Sequence, residues 1–132
     1  AFPPTDAAIV IFGAGYGWDA LARARWLSGC AVHYWGDIDT HGFAILDELR
    51  ARFDDVSSLL MDRDTLSAHE THWGEEPDQV QRDLFRLTPA ERALFETLRD
   101  NRIRKNLRLE QERVRFSWLT EALSRIFGIT PR

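Results

Sequence analysis

The pattern of apolar and polar positions changes character about halfway along the chain. Ala7-Ala8-Ile9-Val10-Ile11-Phe12 is a continuous apolar run stopped by Gly13, the pattern of a strand buried on both faces, as parallel strands are. The spacing predicts a helix from about Tyr16 to Leu27, with Trp18, Leu21, Ala22 and Trp26 facing inward, and a second strand over Ala31 to Trp35. Phe43, Leu46, Leu49 or Arg50, and Phe53 then recur at helical spacing, with Ala44 and Ile45 widening the apolar stripe. Ser57 to Met61 predicts a third strand ending at Asp62. Strands alternating with helices predict an α/β fold: a mainly parallel sheet layered by helices, with right-handed crossovers and a site at the carboxyl ends of the strands.

From Asp64, read as a helix-start residue, the pattern turns helical. A short helix from Thr65 to about Glu70 leads into Trp73-Gly74-Glu75-Glu76-Pro77-Asp78, whose turn residues predict a surface loop. In Thr88-Pro89-Ala90-Glu91, Thr88 caps, proline suits the first helical position and Glu91 closes a capping box. That helix runs to about Asp100, and Asn101 to Arg115 fits either a strand or an extended helix. Phe116, Leu119, Ala122, Leu123, Ile126 and Phe127 define a last amphipathic helix ended by Gly128 and Pro131. The 132 residues suit one domain, with 1–75 as an α/β core and 76–132 as a mainly helical extension.

Composition narrows the class. With 44% hydrophobic and 29% charged residues the chain reads as a soluble globular protein. Its apolar stretches fall far short of a bilayer span and its first residues lack secretory features, so a cytoplasmic location is expected. Cys30, alone, forms no intramolecular disulfide and reads as a small buried apolar residue. A net charge of −4 argues against a nucleic-acid-binding protein. Its distribution softens that objection: Arg102, Arg104, Lys105, Arg108, Arg113 and Arg115 face only Glu110 and Glu112 in their stretch. Arginine suits bidentate phosphate contacts, although a nucleotide bias of the source genome would enrich it equally.

The candidate chemistry sits in Gly36-Asp37-Ile38-Asp39-Thr40-His41-Gly42, between the second strand and its helix. A strand ending in Asp-x-Asp projects both carboxylates to one side, where a divalent cation can bridge them. Without a cation the pair raise each other's proton affinity, so their closeness at the core's edge calls for a ligand. Mg²⁺, or Mn²⁺, is the expected ion. Gly36 and Gly42 allow close approach, and the helix beginning near Gly42 is expected to offer free amides to an anion. Asp62 follows its strand as Asp37 does, and reads as a third ligand or as the N-cap of the helix at Thr65. His41 reads as a contact to a scissile phosphate or as a structural hydrogen bond. Glu112, in Leu109-Glu110-Gln111-Glu112, reads as an ion-pair partner of a nearby arginine or as a metal-site residue. Gly13-Ala14-Gly15-Tyr16-Gly17 matches a dinucleotide fingerprint poorly and reads as a tight turn lining the same cleft. His33 reads as packed, and His69 and His72 as surface residues. The five tryptophans read as core or interface residues rather than base-stacking platforms.

Asp37-Ile38-Asp39-Thr40-His41-Gly42 resembles the D-x-D-x-x-G motif of Toprim domains, in particular those of topoisomerase VI and the related meiotic double-strand-break proteins. The wider run from Tyr34 to Asp47, with Leu59-Leu60-Met61-Asp62-Arg63 and Leu109-Glu110-Gln111-Glu112, is similar to the JetD family of Wadjet nuclease subunits. The resemblance implies a Toprim-like layered sandwich and a metal-dependent endonuclease that cuts double-stranded foreign circular DNA such as plasmids. It also implies work with a condensin-like SMC complex, and a homodimer of the full-length protein. In that reading Asp37 and Asp39 hold the metal, Asp62 and Glu112 assist, and Arg102, Arg104, Lys105 and Arg108 track the DNA backbone. Toprim sites also use a glutamate ending the domain's first strand, and no segment before Ala7 matches that strand. The chain therefore reads as a carboxyl-terminal fragment holding the aspartate half of a site, inactive or weakly metal-binding alone, with activated water as the attacker.

Two rivals stand beside this reading. In a haloacid-dehalogenase-like phosphatase the first aspartate attacks phosphate and the second is acid and base; against it, Lys105 is the only lysine and His41 stands where that family prefers Thr or Val. The other rival is a non-catalytic interaction domain using tryptophans and the acidic surface.

Overall fold

The second strand anchors the fold because its apolar side chains leave on both faces. In the computed structural model, which describes the backbone of residues 8–12 and residues 29–128 in full, β1 (Ala8–Phe12), β2 (Ala31–Trp35) and β3 (Val56–Ser58) form a parallel sheet in that order. Ala8 pairs with Ala31 and Val32 with Val56. The expected helix at 16–27, the glycine turn at 13–17 and the end at Pro131 lie outside the described residues. The other described elements are α1 (Thr40–Arg52), α2 (Arg63–Ala68), β4 (Gly74–Glu75), α3 (Pro89–Arg99), β5 (Leu107–Arg108) and α4 (Phe116–Phe127).

Alternation in β2 sets the layers. Val32 and Tyr34 enter one cluster with Phe43, Leu46 and Leu49 of α1 and Leu94, Phe95 and Leu98 of α3. Trp35 enters another with Leu59, Leu60, and Leu119, Ala122 and Leu123 of α4. The carboxyl-terminal half thus covers the sheet and shares its core, as apolar burial requires of a small parallel sheet. The helix starts follow their local chemistry: Thr88 and Glu91 form the expected capping box, with Pro89 in the first turn. Gly128, at φ 68°, ends α4 in the left-handed region that glycine enters without penalty.

Several expectations are corrected. The third strand is Val56–Ser58, not 57–61, because the chain turns at Leu60, whose φ is 58°. The 73–78 segment is not a free loop: β4 pairs antiparallel with β5, and Glu76 is 1% exposed. Residues 101–115 are neither one strand nor a helix but a turn, β5 and a 3₁₀ turn at Gln111–Arg113. His69 is buried, not on the surface: its Nδ1 lies 2.7 Å from the Thr65 carbonyl and its Nε2 accepts from the Arg115 amide. Cys30 is half-buried. No helix among the described residues is long and apolar enough to cross a membrane.

Candidate metal centre at the strand end

Asp37 and Asp39 follow β2 directly, and the chain there is held from the opposite side. Ile38 forms an antiparallel bridge with Leu109, through Ile38 N–H to Leu109 O at 2.8 Å and Leu109 N–H to Ile38 O at 3.1 Å. That bridge carries Gln111 to Asp37, whose Oδ1 accepts from the Gln111 amide at 2.8 Å. Asp39 is the N-cap of α1 and accepts from the Gly42 amide at 2.6 Å. Gly42 is required by packing: a Cβ there would land on the Asp37 carbonyl oxygen. The glycine three residues after the second aspartate therefore lets the first turn of α1 close over the acidic strand end. At Gly36 a Cβ would land on the Tyr34 hydroxyl.

Burial makes the pair electrostatically unfavourable. Asp39 is 4% exposed, and its pKa is pushed up to about 7 by burial and by the Glu76 and Asp37 charges, against the Gly42 hydrogen bond. Burial also raises the Asp37 carboxyl; the Gln111 amide and Arg108 oppose the rise, while Glu112 and Glu110 add to it. Neither aspartate forms an ion pair among the described residues.

Glu76 belongs to this group, and sequence reasoning missed it. Its Oε1 accepts from the Thr40 hydroxyl at 2.6 Å, and its Oε2 from the His41 amide at 3.1 Å and from His41 Nδ1 at 2.7 Å. The expectation of free amides at the start of α1 is corrected here, since Asp39 and Glu76 already accept from that first turn. Glu-Glu-Pro-Asp offers no local sign of this, because the contact spans 35 residues. His41 makes the structural hydrogen bond, and its side chain remains 56% exposed. With the proton on Nδ1 bonded to Glu76, Nε2 is the nitrogen left to accept one.

The other candidates divide. Glu112 and Glu110 lie within the field of Asp37, while Glu110 also pairs with Arg108 at 3.3 Å. Asp62 instead caps α2 through the Thr65 amide at 2.8 Å, beside a groove lined by Leu60, Asp64, Trp118 and Arg125. Arg102 and Lys105 are exposed, and Arg104 lies 5.9 Å over the Trp73 ring. Arg108 is half-buried, close enough to oppose the rise at Asp37. Among the described residues no three His, Cys, Asp or Glu side chains gather in a metal-holding group, so the structure itself brings together two candidate ligands rather than four.

The fold and this strand end define an α/β domain with two uncompensated carboxylates at the carboxyl edge of a parallel sheet. The profile of the family described as Wadjet protein JetD, C-terminal, matches residues 1–123. The chain belongs to that family, which ties it to a defence-related, multi-subunit system. No curated protein matches the chain.

Proposed function

We propose that this domain carries the aspartate pair of a Toprim-like, metal-dependent DNA endonuclease centre that cuts foreign circular DNA. The observation that supports this most is the strand-end pair: Asp37 and Asp39, both with raised proton affinity and neither ion-paired among the described residues. The nearby Arg108 and His41 only partly offset the rise. Hard carboxylate oxygens, each already fixed by one backbone amide, suit Mg²⁺ or Mn²⁺, which take one or two carboxylates and keep several waters. A cation bound there supplies charge neutralisation at a phosphodiester and a lowered pKa for an attacking water.

The chain's own residues do the rest. Asp37 and Asp39 would hold the ion, with Glu112 adding negative charge near Asp37. His41, oriented through Nδ1 by Glu76, presents Nε2 toward solvent at the start of α1, placed to receive a proton or contact a phosphate oxygen. Arg102, Arg104, Lys105 and Arg108 follow the DNA backbone as point and fork donors. Condensin-like SMC subunits and a second copy of the natural protein are the proposed partners.

The test is cleavage of supercoiled plasmid by the natural protein that carries this sequence, with Mg²⁺, Mn²⁺ or EDTA. Cleavage that needs the metal and disappears in Asp37→Asn is expected. Equal cleavage in EDTA, or full activity of Asp37→Asn, overturns the reading. Metal-dependent turnover of a small phosphate ester without DNA would instead favour the phosphatase.

A further inference from the structure

Four buried side-chain polar atoms among the described residues have no hydrogen-bond partner: His33 Nδ1, Tyr34 Oη, Arg108 Nε and Gln111 Oε1. Three of their residues surround the acidic strand end. Gln111 holds Asp37 by its amide, Arg108 opposes the rise of the Asp37 pKa, and Tyr34 lies in the field of both aspartates. Leaving a buried hydroxyl unpaired is unfavourable, and an ion or water at the site is one of the things that explains such a group.

We infer that Tyr34 is a positioning residue of the strand-end site, its hydroxyl donating to an oxygen of the hydrated divalent cation held by Asp37 and Asp39. This rests on the metal-centre reading above. The side chain is 0% exposed, so its ring is fixed by packing with Phe43 and its neighbours. The hydroxyl lies over the Cα of Gly36, the residue that precedes Asp37, which leaves no room there for any side chain. Burial and the two aspartate charges keep the phenol protonated, so it serves as a donor. A donor is what a water or carboxylate oxygen of the site accepts, and a fixed ring delivers it without ordering a flexible side chain.

Tyr34→Phe separates this role from packing. Two quantities are measured on the natural protein that carries this sequence and on its Tyr34→Phe variant: the melting temperature without metal, and the Mn²⁺ dissociation constant from paramagnetic broadening or calorimetry. Removing an unpaired hydroxyl leaves the metal-free melting temperature unchanged or raises it, while Mn²⁺ binding weakens by about 10- to 100-fold. A variant that binds Mn²⁺ as tightly as wild type overturns the role of Tyr34 alone. So does a variant that melts lower without metal yet keeps its affinity, which marks the hydroxyl as purely structural. A wild-type natural protein that takes up no Mn²⁺ overturns the metal-centre reading and the role of Tyr34 with it.

Discussion

Two acidic regions of this domain are built on opposite electrostatic terms. Glu91 of α3 and Asp47 of α1 are buried, and arginine meets each of them. Glu91 receives both Nη atoms of Arg50, at 2.5 and 3.1 Å, as well as the Ser58 hydroxyl and the Thr88 amide. Burial pushes the Glu91 carboxyl up, yet these donors outweigh it and hold the pKa below its usual range. At the end of β2, Asp37 and Asp39 receive one backbone amide each and face further carboxylates, so both rise. The same fold therefore compensates one set of acids internally and leaves the other short of positive charge. Internal compensation marks acids that hold elements together, and its lack at the strand end is what motivates the cation proposed above.

The comparison is broken most forcefully at the compensated side. Glu91→Ala strips the α3 capping box and leaves Arg50 largely buried without its partner, and should lower stability by about 3 kcal/mol in urea denaturation. Asp39→Asn keeps a capping side chain and should cost little, while abolishing Mn²⁺-induced stabilisation.

The pH dependence sharpens the contrast, because the two groups have opposite signs. For Glu91 the folded pKa is depressed, so its contribution is present above the unfolded value and is lost as pH falls through the folded one. For Asp39 the folded pKa is raised from 3.8 to about 7, so the folded state binds the extra proton across that window. Its contribution to stability is present below the unfolded value and falls as pH rises toward 7, by at most about 1.4 kcal/mol per pH unit. Denaturation midpoints between pH 4 and 8 should show this fall flattened in Asp39→Asn, and Mn²⁺ should raise the melting temperature more at pH 8 than at pH 6. An Asp39→Asn profile parallel to wild type would remove the uncompensated-acid premise.

Smaller effects follow at the edges. Thr88→Ala removes one half of the capping box, an expected loss of about 1 kcal/mol. Arg102→Ala, which among the described residues pairs only with the exposed Asp100, should change stability by less than about 0.5 kcal/mol. In the natural protein it should nevertheless reduce the salt dependence of DNA binding by about one phosphate contact, measured as the slope of affinity against ionic strength.

Local signals were enough for much of this. β2, the Thr88 cap, the Gly128 stop and the helix after the acidic turn follow from apolar period and cap residues within a few positions of each other, and the structure places them as expected. The Asp37 and Asp39 pair was legible for the same reason: a strand end and an N-cap are short-range features. What tertiary structure alone decided are contacts made across long separations. Glu76 reaches the start of α1 from 35 residues away and takes the amides that a local reading leaves to an anion. His69, expected on the surface, is buried and accepts from the Arg115 amide 46 residues away. Sequence determined which residues carry charge and where elements begin, because those depend on neighbours along the chain; which charges meet a partner depended on the β4–β5 pairing and the Ile38–Leu109 bridge, which only the folded chain brings into register.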